Sequence, residues 1–502
     1  TVEHATKQPV PRVLVIIAAT DGSHREKACL TDANGAFRFE NIPAGKYVLN
    51  AERPGRMSQA FHGGDGFVTG IAVGPGRDSE HIVFELRAGA SLAGTVMDDY
   101  GEPVRYALVY LLRKGVFNGT TGIHLRGTTN TNTSGRFHFG SLPPGTYFAA
   151  VSAQPWYTKY QTPASSSALD VAYPITYYAD AVDPASASPI ALAEGRSANI
   201  QITLHAVPTV HVTLDRQTDQ PNRGLSISAT TTGPGGYPIR SLAGVVQTNT
   251  HFELTLAPGE YALALRTFAG SGKQRVVSRK LISVQSGSDP EIKNEAMASV
   301  AGKAVFVPQD RPPGIGVVLS PVAGGRRQAA TIQSDGSFQF ASTASGRYRI
   351  QLTSAPEFRI TQVTAKGAAY ADGVLKIEPG AAAQISAVAA RAESHVDGIA
   401  LKNGKPFPGA MVLLLPLDMK TDQFVGRDQS DSDGTFSVLH VPNGRYVLLA
   451  IDNGRELAYR DPAVIAPYRS GGLVVNVPAS GGKVKINVLT RRKRGVNSAP
   501  AH

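Results

Sequence analysis

The 502-residue chain sets 50 Lys and Arg against 39 Asp and Glu, a formal charge of +11, with 18% charged and 42% hydrophobic residues. Spread over that length, the excess is too thin for the concentrated basic stripe of a nucleic-acid-binding protein. No apolar run approaches the roughly 18 residues of a membrane helix, and Cys29, the sole cysteine, excludes an intrachain disulfide.

The first predicted unit spans 1–88 and carries the stretch Thr31-Asp-Ala-Asn-Gly-Ala-Phe-Arg-Phe-Glu-Asn-Ile-Pro-Ala-Gly-Lys-Tyr47. Asn34-Gly35 suits the positive-φ geometry of a tight turn. Phe37 and Phe39 then alternate with Arg38 and Glu40, the period of a half-buried strand. Pro43-Ala-Gly45 turns the chain into a second strand beginning near Tyr47. The opener Thr1-Val2…Gln8-Pro9-Val10 has the spacing of Thr95-Val96…Glu102-Pro103-Val104, but lacks the apolar lead Ala90-Ser-Leu92-Ala93. The first strand is therefore short: either residues are missing upstream or another segment completes that edge. The start at Thr1 rather than Met reads as a processed or truncated form. Residues 10–18 and 82–86 are predicted strands, and the loop 53–70, with five glycines, is expected to be mobile.

The second unit, 89–206, repeats the hairpin at Ser134-Gly135…Phe137-His-Phe139…Leu142-Pro143-Pro-Gly145-Thr-Tyr147 and carries an aromatic insertion at 154–189. Units at 207–297, 298–391 and 392–490 repeat it around Phe252 and Tyr261, Phe338 and Tyr348, and Phe436 and Tyr446. The Phe-to-Tyr spacing is ten residues in four copies and nine in the copy ending at Tyr261. A repeat of about 100 residues is too long for a solenoid and long enough for each unit to bury its own core. With 52 Gly and 33 Pro for turns and little helical periodicity, the chain reads as all-β, five tandem β-sandwich domains. Junctions such as Leu86-Arg-Ala-Gly89 are short, which predicts a semi-rigid rod. Residues 491–502 read as a basic tail opening on Arg491-Arg-Lys-Arg494. That run is either simply solvated or a contact for an anionic partner.

The opener Gly94-Thr-Val96…Gly101-Glu-Pro103-Val104, followed by Gly-x-Phe and Leu142-Pro143-Pro-Gly145-Thr-Tyr147, resembles the carboxypeptidase regulatory-like domain, one of the transthyretin-like and Cna-B-type sandwiches. Tyr177-Tyr178-Ala-Asp…Asp183-Pro184-Ala…Pro189-Ile190 is similar to a segment of multi-domain members from acidobacterial envelopes. The resemblance implies seven-stranded Greek-key (prealbumin-like) sandwiches and an extracellular, cell-surface or periplasmic location. It also implies a fold shared with carbohydrate-binding-like modules.

Catalytic constellations are hard to find. No His-x-x-Glu metallopeptidase pair or Gly-x-Ser-x-Gly elbow occurs, and the twelve histidines lie scattered. Asp431-Ser-Asp433-Gly434 and Asp32-Ala-Asn34-Gly35 are short of a calcium loop and read as turns. Tyr468-Arg-Ser470-Gly is faintly similar to a terminal motif of transthyretin-related hydrolases, with the order changed and no matching histidine. The motif tyrosines read as a sandwich corner, each hydroxyl bonded to nearby backbone. The candidate binding residues are the aromatics of the insertion, Trp156, Tyr157, Tyr160, Tyr173, Tyr177 and Tyr178, since Tyr and Trp stack on sugars or anchor interfaces. Their alternative role is to cover an open sandwich end.

The sequence therefore predicts a non-enzymatic extracellular or envelope protein, structural or adhesive, such as a filament or surface-assembly subunit. No cofactor, metal or nucleic acid is expected, and the partners would be copies of itself or other envelope proteins. The foreshortened first strand fits completion by a neighbour's strand. The alternatives are a carbohydrate-binding protein using the aromatic insertion, with a glycan as partner, and the periplasmic part of a larger receptor.

Overall fold

A computed structural model describes residues 1–23, 25–63, 66–77, 82–160, 169–215, 225–242, 244–248, 250–268, 274–285, 289–309, 313–322, 327–355, 357–371, 373–417, 425–478 and 483–492. Of these, 159–160, 267–268, 274–278, 341 and 483–492 are described by backbone alone. Among the described residues the regular structure is strand apart from short 3-10 turns and one α-helix, Pro462–Arg469.

Five hydrophobic cores follow one another along the chain. They run from Val10 to Leu86, Ala90 to Leu204, Val212 to Val284, Ala298 to Ala389 and Val396 to Val477. The second shows the construction most fully. Ala90–Asp98 is flanked by Arg136–Leu142, antiparallel, and Ser197–Leu204, parallel. Facing them are Thr120–Asn130, Leu108–Phe117 and Gly145–Ser152, the last pairing with both Thr176–Tyr177 and Ile190–Leu192. Ala90–Asp98 alternates buried and half-buried residues along its length, because one face of the pleat meets the facing sheet.

The paired motifs of the sequence are cross-strand partners. Phe137 stands opposite Gly94, Phe338 opposite Gly302 and Phe436 opposite Gly398. A Cβ on Gly94 would stand 2.5 Å from the Phe137 ring, and one on Gly302 would stand 2.4 Å from that of Phe338. In the second and fourth units the glycine of the opener is thus required by the phenylalanine of the hairpin, whereas in the third Phe252 stands opposite Leu214. The tyrosine then closes the corner. Tyr47, Tyr147, Tyr261, Tyr348 and Tyr446 donate from their hydroxyls to the carbonyl four residues back, at 2.5 to 2.9 Å. Burial pushes Tyr261 and Tyr446 up to about 12, so these hydroxyls hold their protons and remain donors.

The ends of the chain depart from this plan. The Gly35 turn packs on the Thr1 carbonyl as the Gly135 turn packs on that of Val96. Val10 N likewise bonds Thr1 O as Val104 N bonds Val96 O. Thr1 therefore occupies the position of Val96, one residue further along than the sequence spacing suggested. Val2–Glu3 pairs with Glu85–Leu86, and Val2 also bridges to Pro9. At the other end, Lys483–Arg492 runs parallel to Ser394–Lys402 and reaches the register of Ile451 and Asp452. Arg491 and Arg492 thus lie in the last strand rather than in a tail, while 493–502 fall outside the described residues.

The helix Pro462–Arg469 was not predicted. Asp461 caps it by accepting from Ala463 N, and Pro462 sits where a missing N–H costs nothing. Its Ile465 and Tyr468 bury against Met411, Leu413, Leu449 and Ile451. This covers the outer face of the last unit's sheet and explains why Met411–Pro416 is apolar without alternation. Tyr468, of the hydrolase-like motif, is a core residue, and Arg469 donates to the Pro416 and Leu417 carbonyls.

Candidate functional site

The aromatic insertion does not form one surface. Tyr173 packs in the core of residues 90–204 and Tyr177 in a separate cluster with Tyr110, Leu112 and Ile239. Burial raises both phenols above their ordinary pKa, with Asp98 adding to it at Tyr173 and Asp183 at Tyr177. Tyr178 is half-buried against the first of these cores. Rings enclosed in two different cores cannot present a face to a ligand, which removes Tyr173 and Tyr177 from the candidate set. What remains exposed is Trp156, 70% accessible, with Tyr157 edge-on to it at 5.7 Å. The Tyr160 side chain lies outside the described residues. Tyr177, Tyr110 and Ile239 instead join two successive segments, helped by a bond from Arg240 N to the Tyr110 hydroxyl at 3.3 Å.

The sharpest departure from expectation is at the glycine loop. His62, Phe67, Thr69, Gly70 and Ala72 are held by the hairpin of the last unit. Gly70 N donates to Asp431 Oδ1 at 3.1 Å, and Ser432 N returns a bond to Gly70 O at 2.8 Å. Ala72 N donates to Ser432 Oγ at 3.0 Å. Gln429 Nε2 donates to His62 O and Thr69 Oγ1, each at 2.7 Å. Lys46 pairs with Asp431 and Arg77 with Asp433. Arg427 lies over the Phe67 ring, 4.2 Å from its centroid. Thr69, Gln429 and Asp431 are buried.

The units therefore do not form a rod touching only at neighbours, because the first docks on the fifth. A further contact ties the tip at Gly119 to the last unit, where Arg460 N donates to Gly119 O at 3.0 Å. Burial drives His62 down to about 4, so it is neutral in this interface, and Arg455 adds to the effect. Burial raises Asp428 to about 6 despite the bond it accepts from Ser437 N at 2.6 Å.

In the first two copies the same turn is closed by its own side chain. Asp32 Oδ1 accepts from Asn34 N and Ala36 N, and Asn132 Oδ1 from Ser134 N and Arg136 N, at 2.8 to 2.9 Å. These carboxylate and amide oxygens are Asx-turn acceptors, the turn reading given by the sequence. In the fifth copy Asp433 takes that part with Thr435, while Asp431 and Ser432 reach the first unit. Nothing in the spacing of Asp431-Ser-Asp433-Gly434 marks it as a docking hook.

The second candidate is the edge at residues 36–42. In the second unit the matching residues 136–142 form a strand against Ala90–Asp98. In the first, no strand among the described residues pairs with 36–42. Phe37 and Phe39 keep the same edge-on geometry as Phe137 and Phe139, with centroids 6.1 Å apart in both pairs. Yet the first pair is half-exposed where the second is buried.

Residues 1–87 and 91–205 match the family model of the carboxypeptidase regulatory-like domain. Those two segments are similar to that family, and the described residues form an all-β architecture. Solved structures that align with it include the minor pilin of Streptococcus agalactiae, at 14% identity over 40% of this chain and 86% of that one, TM-score 0.19. The major pilin subunit of Bacillus cereus aligns at 10% identity over 60% of this chain and 99% of that one, TM-score 0.15. Two B repeat units of the Staphylococcus aureus collagen-binding protein align at 13% identity over 72% and 93%, TM-score 0.14. No curated protein matches the chain.

Proposed function

We propose that the chain is a non-enzymatic structural or adhesive protein of the cell surface or envelope, each of its five cores a module bounded near 88, 206, 297 and 391. The observation that carries this reading is the use made of its polar residues. Asp431, Ser432, Gln429 and Lys46, which could be mistaken for site chemistry, are consumed in locking the first unit onto the fifth. The motif tyrosines are consumed in corners. Such a body resists bending without needing a disulfide.

The finer part of the proposal is self-association by strand addition at residues 36–42. An extended segment with apolar residues at alternate positions would pair with that edge and cover Phe37 and Phe39. Sedimentation velocity over a range of concentrations tests it. The parent chain should form larger species as concentration rises, and Phe37→Lys with Phe39→Lys should abolish them. A chain that stays strictly monomeric at high concentration, with its 36–42 amides already protected, removes the proposal.

A further inference from the structure

The opener of the fourth unit, Ala298–Val307, is flanked by Ser337–Thr343 and Ala382–Arg391, and Phe358–Lys366 adds a fourth strand beside the last of these. Among the described residues the corresponding sheet of the second unit has three strands. On the solvent face of the wider sheet, the register sets Gln339, Ala301, Gln384 and Lys366 side by side in one row. Ser337, Lys303, Ser386 and Thr364 form the next row. Ala301 has the smallest side chain of the eight, and a trough of about 940 Å³ opens over it, lined by both rows and by no Asp or Glu. In the fifth unit the position of Ala301 is taken by Asp397, to which Ser437 Oγ donates at 2.5 Å, so a longer side chain stands where the trough would be.

Among the described residues, none bonds to the side chains of Gln339, Gln384, Thr364, Ser386 or Lys366, and all five are exposed. Asp335 acts on Lys303 from outside the lining, so recognition falls to the amides, the hydroxyls and Lys366. Amides and hydroxyls both donate and accept, which is what sugar hydroxyls require of a partner.

We propose that this trough binds an oligosaccharide, met through its hydroxyl groups. The volume lies at the upper end of small-molecule sites, roughly 300 to 1,000 Å³, and suits a few linked sugars. A peptide fits it less well. Extended peptides gain a ladder of backbone bonds at a sheet edge and specificity from side-chain pockets. Here the trough lies on a sheet face whose strands are already paired, and its two rows hold no apolar side chain larger than that of Ala301. The site stands apart from Trp156 and Tyr157 and holds whether or not the chain self-associates.

Calorimetric titration of the full chain tests this with maltohexaose, chitohexaose and hexagalacturonate, and with a short Ser-Gly peptide and a short polyglutamate as controls. At least one of the sugars should bind, the neutral and acidic probes telling whether Lys366 adds a charged contact. Gln339→Ala and Gln384→Ala should each weaken binding about three- to tenfold, as loss of one or two neutral hydrogen bonds does. Both positions are exposed, so both variants should fold. Ala301→Gln, which fills the trough from its floor, should abolish binding. Gln201→Ala, exposed on the second unit, should change nothing. Absence of binding by all three sugars overturns the proposal. So does equal binding of either control peptide, or binding indifferent to the substitutions at 301, 339 and 384.

Discussion

Replacing Asp431 by Ala should detach the first unit from the fifth while leaving both cores intact. Asp431 is 8% accessible and holds two partners of unequal worth on the first unit. Its bond from Gly70 N is to a buried backbone donor, and leaving such a donor unpaired costs about 1–3 kcal/mol. Its pair with Lys46 contributes less, about 1 kcal/mol or below, because Lys46 is nearly half exposed and solvent screens it. The turn loses little, since Asp433 supplies the Asx bond to Thr435 N at 3.1 Å. The sum is about 1–4 kcal/mol. If docking opens independently of the cores, amides at the interface should exchange about 5- to 1,000-fold faster. Hydrogen exchange read at Gly70, Ala72 and Ser432 is the assay, with Leu49 and Leu448 as core references. The reasoning is refuted if interface and core amides are both unchanged, or if both accelerate together, which would mean the variant unfolds a unit rather than undocking it.

Four further outcomes follow from the same geometry. Asp428, raised from 3.8 to about 6 chiefly by burial, binds its proton more tightly folded than unfolded. Its ionisation therefore costs the fold above that pH, by about 3 kcal/mol at neutrality, and the cost fades as pH falls from about 6 toward 4. Asp428→Asn should thus stabilise the last unit at pH 7 and make little difference at pH 4, measured by denaturant unfolding at both. Tyr147→Phe removes a 2.5 Å bond to the Pro143 carbonyl and should cost about 1 kcal/mol, whereas Tyr147→Ala should cost about 3–5. Gly94→Ala forces a Cβ to 2.5 Å from the Phe137 ring and 2.6 Å from the Ile200 carbonyl, and thermal unfolding should show a loss of about 1–3 kcal/mol or more. Trp156→Ala should stay within about 0.5 kcal/mol of the parent, while Tyr177→Ala should lose about 3–5, since only the second ring is enclosed.

The fold was legible because its signals are local. A glycine that must lie under a phenylalanine, a turn residue at positive φ and a tyrosine bonded four residues back leave fixed spacings, and these recur through the chain. Helix Pro462–Arg469 escaped notice because its apolar stripe is short and interrupted by Pro467. The aromatic insertion misled for a related reason. Six aromatics near one another in sequence suggest one surface, but Val171–Ala172 pairs with Val207–Pro208 and Thr176–Tyr177 with Ala150 and Val151, and Tyr173 and Tyr177 enter different cores. The docking of Asp431 and Ser432 on Gly70 and Ala72 joins residues about 360 apart. No periodicity records such a pairing, and Gly70, one of the glycines that suggested mobility, is what lets Asp431 approach: a Cβ there would stand 2.5 Å from Asp431 Oδ1.

The central claim, that this is a structural body assembling through its first unit, meets its most direct test in electron micrographs of the purified chain at high concentration. The account predicts ordered end-to-end assemblies whose repeating unit is a closed particle with the first module seated on the fifth. Isolated particles at every concentration, or extended rods with the first and fifth modules apart, would contradict it.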